Sequence, residues 1–485
     1  MASIAGALLA NDIDCKIIDL NIESIYYLAN QTPQLINDTW TQRAYKNIYR
    51  HLRHLRDFSI YQQLDTYNRA IKDINRVLEK SIIRNSIKIS LSNYHDFHLS
   101  PIRRSDLLKA MNYPEKNPLH QFWENKLNCL KNNRISGVGV SINYLSQALC
   151  GFSIIGLVRR IWPDIPIWVG GGLISSWINR SGNSQLFDVP NVCFVSGPGE
   201  PHLFNFFNIK TERPAEIANY DDIYHHQYLS PGFVLPFSAS RGCYWRKCAF
   251  CPECSEKISY INVPQEMILQ SLNILIQKYQ PSMIHFLDNA LSPKLLKTII
   301  QNPPKVPWYG FTRVTKHLTD PEFCRALKKS GCVMLKLGIE SGDQRVLTQM
   351  KKGLDISLAQ KALQAIHESG IGTYTYFLFG TPYETEDSFH KTFTFMIDTH
   401  QWIDFMNLAI FNLPINSREA NQLNVYPFYD ADLSLYVNFD HPFHLNRSTI
   451  RQYIKHIKKN THLSRIIQNN PITFTSNHAP FFVQK

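Results

Sequence analysis

Residues 241–251 read Arg-Gly-Cys-Tyr-Trp-Arg-Lys-Cys-Ala-Phe-Cys and place three cysteines, Cys243, Cys248 and Cys251, on one short segment. Thiolates are soft metal ligands, so three of them at this spacing predict a metal centre. Four cysteines close a tetrahedral zinc site, and Cys254 is available as the fourth ligand. Three cysteines hold a four-iron four-sulfur cluster with one iron open to an outside ligand. The spacing alone leaves both kinds of centre open.

The sequence that follows this segment alternates between short apolar runs and stretches of helical periodicity. Apolar runs of this length predict strands, and the stretches between them predict amphipathic helices. Strands are expected at 281–287, 308–311, 333–338, 372–379 and 405–411, and helices at 266–278, 359–369 and 386–399, with a further helix capped by Asp320 and ending near 329. This alternation predicts a parallel β/α barrel, in which the chemistry lies at the C-terminal ends of the strands.

Polar or glycine-containing segments follow four of these strands. They are Asp288-Asn289, Arg313, Glu340-Ser341 and Gly380-Thr381-Pro382. A glutamate at the end of a buried strand is costly unless it is paired, which favours a ligand or a cation for Glu340. An Asp-Asn pair also makes an ordinary turn, and Gly380 permits close approach of the backbone to a ligand.

The cysteine segment resembles that of the radical S-adenosylmethionine (SAM) enzymes, in the variant with four residues between the first two cysteines. The resemblance is carried by Arg241-Gly242, by Phe250 before the last cysteine, and by three later phrases: Gly-Ile-Glu-Ser-Gly at 338–342, Met350-Lys351-Lys352-Gly353, and Gly-Thr-Pro-x-Glu-Thr at 380–385. It implies that the cysteines hold a 4Fe-4S cluster and that SAM chelates the open iron. It also implies that one-electron reduction of SAM releases a 5′-deoxyadenosyl radical.

The resemblance further implies the residues of the site. Cys243, Cys248 and Cys251 are the expected catalytic and metal-binding residues. The expected SAM-binding residues are Phe250, Asp288, Asn289, Arg313, Glu340, Ser341, Gly380, Thr381 and Pro382. An electron donor such as flavodoxin or ferredoxin is the implied protein partner.

A second α/β pattern precedes the cysteine segment. Strands are predicted at 135–141, 166–169 and 192–195, with a helix at 149–161, after a first helix at the start of the chain and a strand at 15–21. Glycine turns follow two of the strands, Gly170-Gly171-Gly172 and Gly197-Pro198-Gly199-Glu200. This is a doubly wound, Rossmann-like α/β arrangement, whose ligands bind outside the carboxyl ends of the strands.

The same segment resembles the cobalamin-binding domain of one large branch of the radical SAM family. The resemblance implies a cobalamin site formed by Ser141, Gln147, Gly170, Gly171, Gly172, Gly197 and Glu200. Two features depart from that domain. The opening strand is missing, and no Asp-x-His-x-x-Gly motif occurs, since the segment from Asp96 to His98 lacks the glycine. A histidine ligand to cobalt is therefore not expected.

The expected organisation has three parts. A cobalamin-type domain covers 1–210, with a helical insertion at about 22–132. A partial (β/α)6 TIM-like radical SAM barrel covers 228–415, and a small C-terminal region covers 416–485. The insertion and the aromatic-rich tail are expected either to form a lid and substrate surface or to pack the domains together.

Composition limits the class of protein. The 51 basic and 39 acidic residues give a net charge of +12 that is spread along the chain, so general solubility is favoured over nucleic-acid binding. No apolar stretch reaches the roughly 20 residues of a membrane span. Asp12 and Asp14 interrupt the early apolar run, so no signal peptide is expected. Ten cysteines, four of them crowded in one segment, indicate a reducing compartment such as the cytoplasm.

These features predict an enzyme. The resemblance implies cobalamin-dependent transfer of a methyl group to an unactivated carbon of a peptide or small natural-product substrate. A cobalamin-independent radical rearrangement or oxidation on the same scaffold is the alternative. A non-catalytic, zinc-stabilised module that binds RNA or peptide is a further alternative, and it would require Cys254.

Overall fold

The computed structural model describes residues 1–31, 38–82, 86–182, 186–209 and 217–484. The chain forms two compact units, and each unit is assembled from separate pieces of sequence. The first unit contains Met1–Arg56, Asn68–Leu229 and Phe428–Leu435, and the second contains Asp57–Tyr67, Ser230–Pro427 and Tyr436–Lys485. Residues of the expected insertion and of the expected tail therefore occur in both units.

The first unit is mainly helical around a small parallel sheet. Its elements, with α4 beginning in the second unit, are α1 (Ala2–Ala10), α2 (Leu20–Ala29), α3 (Thr39–His54), α4 (Leu64–Lys80), β1 (Ile87–Ile89), β2 (Tyr94–Asp96), α5 (Arg104–Asn112), α6 (His120–Asn128), β3 (Val138–Ser141), α7 (Leu145–Ile161), β4 (Ile167–Gly170), α8 (Gly172–Ser181), β5 (Val192–Phe194) and α9 (Glu200–Phe206). The amphipathic helices predicted within the insertion are confirmed as α3, α4 and α6.

The parallel sheet has the order β3-β4-β5, with α7 and α8 as its crossovers. Val138 pairs with Ile167, and Ile167 pairs with Val192. Phe187 and Phe194 pack together with ring centroids 4.7 Å apart in the core beside this sheet. Since all three strands run the same way, their carboxyl ends meet at one edge of the sheet, as predicted for a Rossmann-like domain.

The predicted strand at 15–21 is wrong. Residues 15–19 form an irregular segment, and Asp19 is instead the N-cap of α2, with its carboxylate accepting hydrogen bonds from the backbone N–H groups of Asn21 and Ile22. The backbone N–H of Ile17 donates to the side chain of Asp222 at 2.7 Å and not to another strand. A side chain that can cap a helix outweighed the short apolar run in this segment.

The second unit contains the barrel. Its strands and helices are β6 (Val234–Phe237), β7 (Ser240–Arg241), α10 (Pro252–Ser255), β8 (Ile261–Asn262), α11 (Gln265–Tyr279), β9 (Met283–Leu291), α12 (Pro293–Gln301), β10 (Trp308–Thr312), α13 (Pro321–Lys329), β11 (Cys332–Glu340), α14 (Gln344–Gln349), α15 (Ile356–Glu368), β12 (Gly372–Phe379), α16 (Glu386–Thr399), β13 (Phe405–Ile410), β14 (Leu413–Pro414), β15 (Val425–Pro427), β16 (Tyr436–Phe439), α17 (Arg447–Lys459), α18 (Thr461–Gln468) and α19 (Thr475–Val483).

Six parallel strands form the barrel sheet, in the order β6-β9-β10-β11-β12-β13. Neighbouring strands of this sheet occur in the same order along the chain, and a helix precedes each of β9 to β13, so the predicted partial (β/α)6 barrel is confirmed. The helix capped by Asp320 is also confirmed, because its carboxylate accepts from the N–H of Glu322. The expected end of the strand predicted at 281–287 is wrong, because β9 continues to Leu291.

The C-terminal helix α19 packs against β11 and β12. Val483 lies against Gly372, where a Cβ atom would come within 2.8 Å of its side chain. The hydroxyl of Tyr67 lies 2.9 Å from Nδ1 of the buried His478, and the ring of Tyr61 packs 5.1 Å from that of Phe481. The segment Asp57–Tyr67 and α19 thus form one aromatic cluster within the second unit. In the part of the chain that the structure describes, no helix combines the length and apolar character needed to cross a bilayer.

Candidate active site

The three cysteines lie on the segment between β7 and α10, which follows the first strand of the barrel sheet, β6. Cys248 is 8% exposed, while Cys243 and Cys251 are half-buried. The backbone N–H of Cys251 bonds to the carbonyl of Cys248, and α10 begins directly after Cys251 and carries Cys254. Gly242 has a φ of +72°, and a Cβ there would lie 2.6 Å from the carbonyl oxygen of Ser259. Backbone geometry therefore requires a glycine at position 242, directly before the first cysteine.

The cysteine segment rests on Met350–Gly353, the phrase that follows α14. The indole N–H of Trp245 donates to the carbonyl of Lys351 at 2.9 Å, and the N–H of Ala249 donates to the carbonyl of Met350 at 2.9 Å. A Cβ on Gly353 would fall 2.0 Å from the Trp245 ring, so only glycine leaves room for the indole. We call Met350–Gly353 the platform.

Arg313 lies beneath the same segment and is 7% exposed. Its guanidinium stacks on Trp245 at 4.3 Å from the ring centroid and donates to the Sγ of Cys248 at 3.6 Å. It also donates to the carbonyl of Lys352, which belongs to the platform. The side chain expected to bind SAM thus contacts the cysteine segment and the platform together.

Glu340 ends β11 with a left-handed φ of +70°, next to a shift in strand register. Its carboxylate pairs with Nζ of Lys352 at 2.8 Å, and both side chains are nearly buried. A Cβ on Gly338 would fall 2.4 Å from Oε1 of Glu340 and 2.8 Å from Nζ of Lys352. The ion pair therefore lies directly over Gly338. The expected cationic partner of Glu340 is thus Lys352.

Phe250 connects this ion pair to the core. Nζ of Lys352 lies 5.4 Å from its ring centroid, and the ring packs against the buried cluster of Phe411, Leu413 and Ala420. The aromatic residue before the last cysteine therefore anchors the segment to the barrel through apolar contact.

Burial raises the pKa of Cys251 to about 12 and raises the pKa of Cys248 and of Cys254. The nearby charges of Lys352 and Arg313 act against the rise at Cys248. Thiols that are costly to ionise alone become thiolates when iron binds them. The described residues place no three Cys, His, Asp or Glu side chains around one point as ligands of a single ion. Three cysteines on one segment are the donor set that would hold a 4Fe-4S cluster with one open iron.

Asp288 and Asn289 were expected to act as a pair, and the structure separates them. Because β9 continues past them, their side chains point to opposite faces of the sheet. Asp288 is buried and accepts hydrogen bonds from the N–H of Ala239, at 3.0 Å, and from the hydroxyl of Ser240. It secures the chain that leads into the cysteine segment, whereas Asn289 is exposed.

The remaining SAM candidates form buried structural contacts at two strand ends. The hydroxyl of Ser341 lies 3.1 Å from that of Thr392 and accepts from the N–H of Asp343. Gly380 has a φ of +84°, and Pro382 is buried beside it. The N–H of Thr381 donates to the buried carboxyl of Glu384 at 2.7 Å. Burial raises the pKa of Glu384 to about 7.

The cobalamin candidates of the first unit are partly gathered at the carboxyl edge of its sheet. Asn143 links two of the turns, since its amide donates to the hydroxyl of Ser141 at 3.1 Å and its oxygen accepts from the N–H of Gly172 at 2.9 Å. A Cβ on Gly170 would have only the Val195 carbonyl near, at 4.0 Å, and one on Gly197 would meet nothing within 4 Å. The edge therefore has open space in front of both glycines.

Three other candidates have local roles. The side-chain oxygen of Gln147 accepts from the N–H groups of Asn143 and Tyr144, so it caps α7. Gly171 has a φ of +111°, and a Cβ there would lie 2.4 Å from the carbonyl oxygen of Ile142. Glu200 is the half-buried first residue of α9.

Sequence reasoning assigned no role to three residues that the structure brings into the site. Trp245 and Lys352 join the cysteine segment to the platform, and Asn143 joins the glycine turns. Trp245 and Lys352 stand inside the phrases that carried the resemblance, which was the available signal. Asn143 had none, because its contacts depend on how distant turns meet.

Comparison with known proteins agrees with this geometry. The family model described as the Radical SAM superfamily matches residues 237–396. An uncharacterized methyltransferase of Pyrococcus horikoshii is 26% identical over 189 residues, which are 37% of this chain and 40% of that protein. An anaerobic magnesium-protoporphyrin IX monomethyl ester cyclase of Rubrivivax gelatinosus is 24% identical over 235 residues, 47% of this chain and 41% of that protein. The chain thus spans about two-fifths of the length of these relatives.

Among solved structures, the radical SAM methyltransferase TsrM from Kitasatospora setae, with tryptophan substrate and a SAM analogue bound, has a TM-score of 0.52 at 16% identity. The alignment covers 76% of this chain and 87% of that one. At this identity the likeness is one of fold, and it extends over most of both chains. The cysteine segment and the barrel strands β9 to β12 lie within residues 237–396, the stretch that matches the Radical SAM superfamily model.

Proposed function

We propose that the protein is a radical SAM enzyme that holds a 4Fe-4S cluster on Cys243, Cys248 and Cys251. One observation carries this proposal. The cysteine segment contacts Arg313 and the platform through hydrogen bonds at the carboxyl ends of the barrel strands. When bound, the cluster would supply one electron for reductive cleavage of SAM to methionine and a 5′-deoxyadenosyl radical.

The residues of this chain would bind the cluster and SAM, orient them and shield them. Arg313 and Lys352 place two positive charges beside Cys248, and these charges oppose the rise that burial causes in its pKa. Phe250 and Trp245 hold the segment against the barrel by apolar and stacking contacts. Glu340, Asn289 and the Gly380-Thr381-Pro382 turn are the residues we assign to SAM. The left-handed Glu340 is the strongest of these, since strained backbone concentrates at functional sites.

The first unit supports a cobalamin site at the carboxyl edge of β3, β4 and β5. The edge combines open space at Gly170 and Gly197 with the hydrogen-bonded turn of Ser141 and Asn143. Tyr144, 69% exposed at this edge, provides an apolar surface for a flat ligand. We assign Gly172 to this site as well, whereas the contacts of Gln147 and Gly171 are explained by the turns themselves.

With both cofactors, the reaction we propose is methylation of a carbon atom in a peptide or natural-product substrate. Methyl transfer is favoured because a relative and a structural neighbour are named methyltransferases. The relative named as a cyclase marks the alternative outcome, a radical reaction without methyl transfer. A flavodoxin or ferredoxin is the class of electron donor we assign.

The test is iron content and SAM cleavage after anaerobic reconstitution. Wild-type protein should hold about four irons and cleave SAM when reduced. Alanine at Cys243, Cys248 or Cys251 should abolish both properties, whereas Cys254→Ala should keep the cluster. One bound zinc in the wild type, lost in Cys254→Ala, would instead establish the zinc module.

A further inference from the structure

A buried lysine lies in the middle of the barrel sheet. Lys336, in the middle of β11, is 1% exposed. Its Nζ lies 4.8 Å from the ring centroid of Tyr309 and 5.0 Å from that of Phe311, both on the neighbouring strand β10. On the other side, the register places Lys336 beside Tyr374 of β12.

Further aromatic rings from β9 and β12 pack against the two rings that contact this amine. His285 of β9 stacks on Tyr309 with the centroids 4.3 Å apart and the planes 10° from parallel. Phe311 packs 5.2 Å from Tyr376 of β12. Two residues beyond His285, on the same face of β9, Leu287 is 49% exposed. On this face of β9, an exposed apolar side chain therefore follows the ring that stacks on Tyr309.

The amine has no anionic partner among the described residues. Among the residues that the structure describes, no carboxylate forms a salt bridge with Lys336, and Glu340, four residues along the strand, is paired with Lys352. Fully buried lysines are rare unless paired, because an uncompensated charge in an apolar interior is costly. Burial accordingly lowers the pKa of Lys336 to about 7.

We infer that Lys336 binds a carboxylate of the substrate, with the surrounding rings taking the flat apolar part of the same molecule. The inference deepens the proposed function and rests on it, because it names the substrate class of the same barrel. An ammonium offers three donors and no acceptor, so the group it selects is an anion. The faces of Tyr309 and Phe311 stabilise the charged amine by cation–π attraction. A carboxylate would supply the missing counter-charge.

Among the titratable groups described around Lys336, only Lys336 itself has a pKa near neutrality. Burial and the nearby lysine lower the pKa of His285 to about 3. Burial raises the pKa of Tyr309, of Tyr374 and of Tyr376 above the ordinary value. Helix α19 faces Tyr374 and Tyr376 with Thr475 and Ser476, which carry no charge. Binding of an anion should therefore appear as uptake of a proton by Lys336 alone.

The experiment follows the ε-carbon signals of 13C-labelled lysine in the full chain by NMR between pH 5 and 11. Formate is the anionic probe, and formamide is its neutral counterpart of similar size. The K336M and K361M variants assign the two signals of interest, and exposed Lys361 on α15 serves as the control in each spectrum. Methionine keeps the volume of the buried lysine, so K336M should fold, and its iron content after reconstitution checks that the barrel is intact.

The expected result is a midpoint near 7 for Lys336 in formamide that rises by about one unit in saturating formate, which corresponds to about tenfold tighter binding of formate to the charged amine. Lys361 should not respond. An equal midpoint for Lys336 in both solutions would overturn the inference. Iron content and SAM cleavage are measured on the same wild-type sample. A formate response without iron or SAM cleavage would reject the proposed function and leave the lysine site standing, and the reverse pattern would reject the lysine site alone.

Discussion

Left-handed backbone conformations are concentrated around the cysteine segment. Gly242, Arg246, Glu340, Lys351 and Gly353 all have φ values between +49° and +72°. Such conformations cost free energy in residues other than glycine and persist where the surrounding structure holds them in place. The hydrogen bonds from Trp245 and Ala249 join the cysteine segment to the platform, and the ion pair with Lys352 holds Glu340. Four of the five residues thus lie in the two segments that meet at the site, and Glu340 is paired with one of them.

Replacing Gly353 with alanine should release the cysteine segment. The new Cβ would fall 2.0 Å from the Trp245 ring, so the indole must leave its place under the loop. We expect most of the iron to be lost after reconstitution, measured as iron per chain. Gly370→Ala is the matched control, because Gly370 also has a left-handed φ, +78°, but its nearest neighbour is the flexible end of Lys328 at 3.7 Å.

Both alanine variants should unfold at a lower temperature, by an amount that corresponds to about 1–2 kcal/mol, since both force a side chain into left-handed backbone. Only Gly353→Ala should lose iron. Equal iron content in the two variants would mean that Trp245 does not position the cysteines.

At the scale of single elements, the turn that follows β12 depends on a buried acid. The carboxyl of Glu384 accepts the N–H of Thr381, and the imidazole Nε2 of His441 lies 2.8 Å from the carbonyl oxygen of Thr381. The turn is therefore held by a short-range contact within the Gly-Thr-Pro-x-Glu-Thr phrase and by a second contact from the tail. Its shape, and with it any approach of the backbone to SAM, depends on both.

The stability of this turn should depend on pH through Glu384. Its folded pKa, about 7, lies above the ordinary value of 4.5, so the folded protein binds a proton that the unfolded chain has released between these values. Stability should therefore fall as pH rises from about 4.5 to about 7. Glu384→Gln stays neutral and keeps an acceptor for Thr381. Between pH 5 and pH 8, the thermal midpoint of this variant should rise relative to that of the wild type. A difference between the two midpoints that stays constant with pH would contradict the prediction.

The elements of the barrel were largely predictable, because each strand is a compact apolar run and each helix has its own period and cap. The exact match of β12 to the expected 372–379 is an example. The failures came from contacts that no local pattern records. Leu-Asp-Asn-Ala-Leu at 287–291 looks like a turn, yet pairing with β10 and the bonds to Asp288 extend it as strand. Lys336 was overlooked because it stands in an apolar run whose other residues predict a strand.

At the scale of the whole molecule, the two units should hold their cofactors separately. Gly170→Val should prevent cobalamin binding in equilibrium dialysis, because its Cβ would enter the open space at the strand edge, where only the Val195 carbonyl lies near, at 4.0 Å. It should leave the iron content unchanged. Cys248→Ala should show the opposite pattern. Loss of both cofactors in either variant would mean that the sites do not form independently.

The aromatic cluster of Tyr61, Tyr67 and α19 has a consequence for synthesis on the ribosome. Tyr67 and His478 are 411 residues apart in the sequence. At translation rates of 5–20 residues per second, roughly 20 to 80 s pass between the appearance of the first partner and that of the second. Every barrel strand is made within that interval, while the rings at 57–67 still lack their partners on α19. The nascent chain should therefore need chaperone protection late in synthesis, and slower growth at low temperature should raise the yield of folded protein.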